Sequence, residues 1–195
     1  MNFALSRVRG QKVTGFEEKT SQILVRDELR MACLEVARML ELPDWYLGAG
    51  FLRNAIWDHL HSKTVMTPLN DVDVVYFDAR DTSPKTESNI EASLRRLLPD
   101  VEWEVRNQAR MHARHGHQPY SSTTEGIARW IEVPTCVGVR LESDQSFTFT
   151  APFGLEENWS LMVRVNPYNP RPEIFQQRIV EKRWLKLWPK LQILT

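Results

Sequence analysis

The stretch Asn70-Asp71-Val72-Asp73-Val74-Val75-Tyr76-Phe77-Asp78 constrains this chain more than any other. Its β-branched and aromatic run predicts a strand buried on at least one face. Side chains two apart on a strand share a face, so Asp71 and Asp73 stand together at the mouth of that strand. Neighbouring carboxylates repel one another unless a cation or a proton lies between them. Solvated acids at a strand end are the ordinary reading, because D-x-D recurs by chance. The apolar flanks support a second reading, a Mg²⁺ site, since that ion takes one or two carboxylates plus substrate phosphates.

Other elements alternate around this strand. Helical spacing of Leu29, Ala32, Cys33, Val36, Met39 and Leu40 predicts one helix from about Phe16 to Leu40, opened by a Thr14/Glu17 capping box and stopped by Pro43. Trp45-Tyr46-Leu47 reads as a strand running into Gly48-Ala49-Gly50, followed by a helix carrying Leu52, Ile56 and Leu60. A loop spans 61–69. Ile90, Leu94, Leu97 and Leu98 define a helix ended by Pro99, and 101–106 alternates as a strand. The polar segment 107–117 has no clear assignment. Ser122 and Glu125 open a short helix, 137–141 and 147–150 form a hairpin, and a last helix runs from about Glu173 to Trp188. This order predicts an α/β (α+β) fold, a small mixed sheet flanked by helices.

The length of 195 residues suits a single domain, with a core over about 15–110 and a C-terminal portion over about 120–195 closing a cleft. Lys plus Arg and Asp plus Glu number 25 each, so no net positive charge favours nucleic acid. No segment approaches the roughly 20 apolar residues of a membrane span. The first residues carry Arg7 and Arg9 without the apolar stretch of a signal peptide, so a cytoplasmic location is expected. Cys33 and Cys136 lack metal-ligand spacing and read as buried thiols.

Three neighbours strengthen the metal reading. Glycines at 48 and 50 let backbone N–H groups approach a phosphate at a helix start, although an ordinary tight turn has the same composition. Arg53 and Asn54 lie in the first turn of that helix, where Arg53 either holds phosphate oxygens or is simply solvated. Glu102 and Glu104 share a face on a later strand, and one of them could complete a set of three carboxylates. Elsewhere, His112, His115 and His117 have no acid to complete a metal site and read as a mobile loop. Six Lys or Arg against two acids from Arg171 to Thr195 read as a helix face or as a receiver for an anionic substrate.

The string from Leu47 to Asn54, a helix and loop, and then Asp71-Val72-Asp73 resembles the nucleotidyltransferase superfamily. Asp71 to Asp78, Trp103 to His112 and Ala151 to Leu155 look closest to a family of small bacterial nucleotidyltransferase-like proteins. The resemblance implies a nucleotidyltransferase-like mixed sheet, with Asp71 and Asp73 binding Mg²⁺ (two ions are possible) and nucleotide phosphates. It implies Glu104 as the third carboxylate, acting on the acceptor hydroxyl, and Gly48, Ala49, Gly50, Arg53 and Asn54 as the nucleotide-binding turn. In tRNA-end-building and poly(A)-type members that turn reads Gly-Gly-Ala-Val-Arg-Asp, so Ala49 and Asn54 depart from it. The expected partners are a nucleoside triphosphate and an acceptor, a small molecule first and a protein side chain second, with no strong nucleic-acid signal and no membrane. The expected activity is Mg²⁺-dependent transfer of a nucleoside monophosphate to an acceptor hydroxyl. The alternative is a nucleotide- or ligand-binding module without turnover on the same fold.

Overall fold

A computed structural model describes residues 15–194. The expected first helix is two helices, α1 (Gly15–Leu24) and α2 (Glu28–Arg38). Asp27 causes the break: its carboxylate accepts from the Arg30 backbone N–H at 3.0 Å and pairs with the Arg30 guanidinium, capping α2. The Thr14 half of the expected capping box lies outside the described residues.

Strand β1 (Tyr46–Gly48), helix α3 (Gly50–Leu60), strand β2 (Val72–Tyr76), helix α4 (Pro84–Leu97) and strand β3 (Trp103–Asn107) follow. The unassigned segment is a helix, α5 (Gln108–His115), begun by Asn107, whose side chain accepts from Ala109 N–H. Helix α6 (Thr123–Ile127) starts at Ser122 as expected, and strands β4 (Gly138–Leu141) and β5 (Phe147–Thr150) form the expected hairpin. Then come helix α7 (Glu156–Trp159), strand β6 (Met162–Arg164), helices α8 (Pro172–Glu181) and α9 (Trp184–Leu187), and strand β7 (Gln192–Leu194). The expected last helix is thus broken, at Arg183, whose φ is 54°.

The main sheet has the order β3-β2-β1-β4-β5. Only β2 and β3 pair in parallel; the other pairs are antiparallel. The β4–β5 hairpin joins the sheet through β1, so the C-terminal half contributes strands to the same sheet as the first half. One face of the sheet buries Leu47, Val72, Val74, Tyr76, Trp103 and Val105 against Leu24, Leu34 and Leu94 of α1, α2 and α4. This is a mixed α+β architecture of sheet and flanking helices. A second, two-stranded parallel sheet pairs β6 with β7. It packs with Phe175, Ile179, Trp184 and Trp188 around Trp57 of α3. The C-terminal segment is thereby fastened to the helix that starts at the glycine turn.

Candidate active site

Register brings the acids together. Asp73 lies opposite Glu104 across the parallel β2–β3 pair. Their neighbours Val72, Val74, Trp103 and Val105 enter the core, so alternation sends Asp73 and Glu104 side by side to the other face. Asp71 is exposed just before β2. All three acids line one cleft of about 400 Å³, with Ala49, Gly50, Arg53 and Asn54 at its glycine turn and Arg178, Lys182, Trp184 and Trp188 from the C-terminal segment. Burial, followed by repulsion from Asp71 and then Glu104, pushes the Asp73 carboxyl up to about 7. Glu104 is also held by Arg106 at 2.9 Å. Among the described residues no three His, Cys, Asp or Glu side chains form a group that could hold an ion unaided. The acids therefore share a wall without closing into the three-carboxylate set that the sequence suggests, and the Arg106 guanidinium is a direct competitor for Glu104. Glu102 lies in the exposed segment before β3 and pairs with Arg95 at 3.5 Å.

The turn is built from its backbone. Ala49 has φ 52° and ψ −120°, a region open to glycine and strained for other residues. It is held there from both sides: its N–H donates to Val137 O and its carbonyl accepts from Arg53 N–H, each at 3.0 Å. Helix α3 begins at the cleft with no side chain capping its first turn, which leaves backbone N–H groups and the positive end of the helix for an anion. Gly48 is not among the residues lining the cleft. A Cβ there would lie 2.7 Å from Trp130 Cη2, so packing against that ring dictates the glycine.

Arg53 is 5% exposed. Its Nη1 donates to Thr135 Oγ1 at 2.7 Å, and Nε and Nη2 donate to Asn54 Oδ1 at 3.2 and 3.0 Å. The guanidinium stacks over Trp184 and Trp57, 4.5 and 5.1 Å from their ring centroids. Burial lowers its pKa to about 10, with Glu132 opposing that shift. Among the described residues Arg53 makes no salt bridge. Asn54 thus orients the guanidinium without neutralising it, which an aspartate at that position would do.

The chain has relatives among known proteins. A nucleotidyltransferase family profile matches residues 35–193. The chain belongs to the nucleotidyltransferase family. A solved NMR structure described as a CCA-adding enzyme head domain is 32% identical, with a TM-score of 0.79 over 91% of this chain and 95% of that one. A CCA-adding enzyme in complex with CTP and another in an apo form are 15% and 13% identical, each with a TM-score of 0.56, and show a shared fold. This chain covers 90% of its own length in both matches but only 43% and 42% of those longer proteins. A search of curated proteins gave no match.

The walls of this nucleotidyltransferase depend on two buried acids that the sequence does not single out. Asp58, fully buried on α3, accepts from Thr67 N–H at 2.6 Å, Thr67 Oγ1 at 2.7 Å and Trp188 Nε1 at 2.7 Å. It joins the 61–70 loop to the C-terminal segment across the cleft. Glu132, also fully buried, pairs with Arg178. Neither lies in a motif; a lone Asp among Ile56, Trp57 and Leu60 is the only hint that 58 is a buried acid. The histidine segment proves ordered and remote. His112 is on α5 with its ring against Tyr120, His117 Nδ1 is 2.5 Å from Tyr120 Oη, and none of the three lines the cleft. Among the described residues no helix is long and apolar enough to cross a membrane.

Proposed function

We propose that this nucleotidyltransferase moves a nucleoside monophosphate from a nucleoside triphosphate to a hydroxyl of a small acceptor. The carrying observation is the pairing of Asp73 with Glu104 in a cleft that is also lined by the uncapped start of α3 and by Arg53, which makes no salt bridge among the described residues. A cleft lined by both acids and a buried cation suits a phosphate chain accompanied by a cation. Nucleotidyltransferases of this kind generally use divalent metals. The donor set fits: Asp71 and Asp73 supply two hard oxygen ligands short of positive charge, and Mg²⁺ completes its shell with phosphates and water. A bound ion there would neutralise charge on the phosphates and on the attacking and leaving oxygens.

The chain's own residues do the rest. The first turn of α3 and Arg53 hold phosphate oxygens, the latter at an angle fixed by Asn54 and Thr135. Trp184 and Trp188 exclude water from one end of the cleft. The acceptor hydroxyl oxygen forms the new bond to the α-phosphorus, and the bond from that phosphorus to the bridging oxygen breaks. Pyrophosphate leaves with the electron pair, and the hydroxyl proton passes to the Glu104 carboxylate.

A second reading, a triphosphate-binding module without turnover, is favoured by the Glu104–Arg106 pair at 2.9 Å, which occupies the group assigned to the hydroxyl. Incubation with labelled triphosphates, Mg²⁺ and a metabolite pool separates the two. Pyrophosphate release abolished in Asp71→Ala/Asp73→Ala and at least about a hundredfold slower in Glu104→Gln supports transfer. Triphosphate binding without any release supports the module, and no triphosphate binding refutes both.

A further inference from the structure

A second groove, of about 500 Å³, opens beside the cleft and is lined by Asn70, Glu181, Lys182, Arg183, Lys186 and Leu187. Asn70, Lys182 and Leu187 belong to both concavities, so the two are continuous. The groove is cationic. Lys182, Arg183 and Lys186 have no salt-bridge partner among the described residues. The one acid there, Glu181, accepts from Gln177 Nε2 at 2.7 Å. The chain holds these cations together by breaking the helix at Arg183, a non-glycine residue at φ 54° and ψ 34°, where continuous helix was expected.

We infer that this groove binds the anionic group of the acceptor, and that the acceptor is a small phosphomonoester whose hydroxyl reaches the cleft. The inference rests on the transfer reading above. Three unpaired cations in a groove of this size match one phosphate group. They do not make the extended basic track that follows a polynucleotide backbone. Arg183 and Lys186 line only this groove, whereas Lys182 is shared with the cleft, so the first two separate acceptor from nucleotide.

The test uses the full chain, with ribose 5-phosphate and glycerol 3-phosphate as probes and ribose and glycerol as controls. Calorimetry and ¹⁵N-resolved NMR are run on the wild type and on Arg183→Gln/Lys186→Gln, whose substitutions lie at exposed positions. The expected result is saturable binding of the phosphate esters alone, with signal changes at Asn70 and Lys186. The double variant weakens that binding by about tenfold or more, the loss of charge-assisted contacts, and leaves Mg²⁺-triphosphate affinity unchanged. Absence of phosphate-ester binding, or binding indifferent to the double variant, overturns the inference. Equal loss of triphosphate affinity in the double variant overturns it in favour of a triphosphate subsite. Tighter, strongly salt-dependent binding of a short single-stranded RNA overturns it in favour of a nucleic-acid acceptor. Failure of the transfer reading registers separately, as absence of Mg²⁺-dependent pyrophosphate release by the wild type.

Discussion

Replacing Ala49 by glycine should stabilise the protein, although it removes a buried methyl group. Ala49 sits at φ 52° and ψ −120°, pinned by its hydrogen bonds to Val137 and Arg53. A non-glycine residue in such a conformation costs about 1–3 kcal/mol. Glycine removes that strain but loses about 0.4–1 kcal/mol to the greater freedom of the unfolded chain, and about 0.8 kcal/mol of methyl burial at a residue 9% exposed. Taking the middle of each range, the net gain is about 0.5 kcal/mol, or roughly a 1–2 °C rise in Tm for a chain of this size. The contrast with valine is larger. A β-branched side chain at positive φ is a strong outlier, so Ala49→Val should cost about 2 kcal/mol or more. Gly48→Ala, one residue earlier, should also destabilise, since its Cβ would lie 2.7 Å from Trp130 Cη2. Reversible thermal unfolding of the three variants gives the order glycine at 49, wild type, then the other two. An Ala49→Gly protein more than about 1 kcal/mol less stable than wild type, or a neutral Ala49→Val, would refute the strained-turn account.

Asp73→Asn should raise metal-free stability by on the order of 1 kcal/mol at pH 8, because it removes one of three acids on a shared wall, and should abolish stabilisation by Mg²⁺ in a thermal-shift titration. The folded-state carboxyl of Asp73 lies at about 7, above its ordinary value of 3.8, so the fold prefers the protonated form. Lowering the pH from 8.5 to 6 should therefore stabilise the metal-free wild type by about 1 kcal/mol relative to Asp73→Asn, and a flat difference between the two over that range counts against it. Asp58→Ala leaves the buried Trp188 Nε1, the half-buried Thr67 N–H and the Lys63 ammonium without their acceptor. It should cost about 3 kcal/mol in denaturant unfolding, and a loss below about 0.5 kcal/mol would remove Asp58 as the link across the cleft. Glu132→Gln should destabilise by about 2–3 kcal/mol by depriving Arg178 of its charge partner, and unfolding curves that match wild type would show the pair to be idle.

What could be read from the sequence follows the reach of local rules. The β2 strand, the glycine turn with α3 after it and the β4–β5 hairpin are set by periodicity and turn chemistry within short windows, and they appear as expected. Alternation puts Glu102 and Glu104 on one face and only the family resemblance singles out Glu104, while the parallel register that sets it beside Asp73 is a tertiary fact. The first helix was misjudged because an apolar stripe continues through Asp27, whose side chain prefers to cap rather than to lie inside a helix. Segment 107–117 looked irregular because α5 draws its stability from contacts distant in sequence. Asn107 donates to the carbonyls of Asp78 and Asp81 at 2.8 Å each, and Arg110 pairs with Glu87 of α4. Strands β6 and β7 have three residues apiece and pair across nearly thirty intervening residues, too little local pattern to register. Glu104 was legible as a cleft residue, whereas Arg106 as its partner was not, because that contact depends on side-chain geometry along β3.

The buried charges argue for a ligand better than they argue for stability. Arg53, Asp58 and Glu132 are each at least nine-tenths buried, and all three border or brace one cleft. Well-packed apolar side chains of similar volume would commonly give an equally stable or more stable core. Asp58 and Glu132 are fully engaged with donors from other segments, so they fix wall positions. Arg53 differs. Its donors meet only neutral oxygens and its faces meet aromatic rings, so its charge is oriented and desolvated yet not cancelled. An arginine kept in that condition beside an uncapped helix start is poised for an incoming anion, and the repelling acids in the same cleft are poised for an incoming cation. On the proposed function, a cation–phosphate pair in the cleft offsets the repulsion among the acids and the uncancelled charge of Arg53 together, and so stabilises the fold on binding.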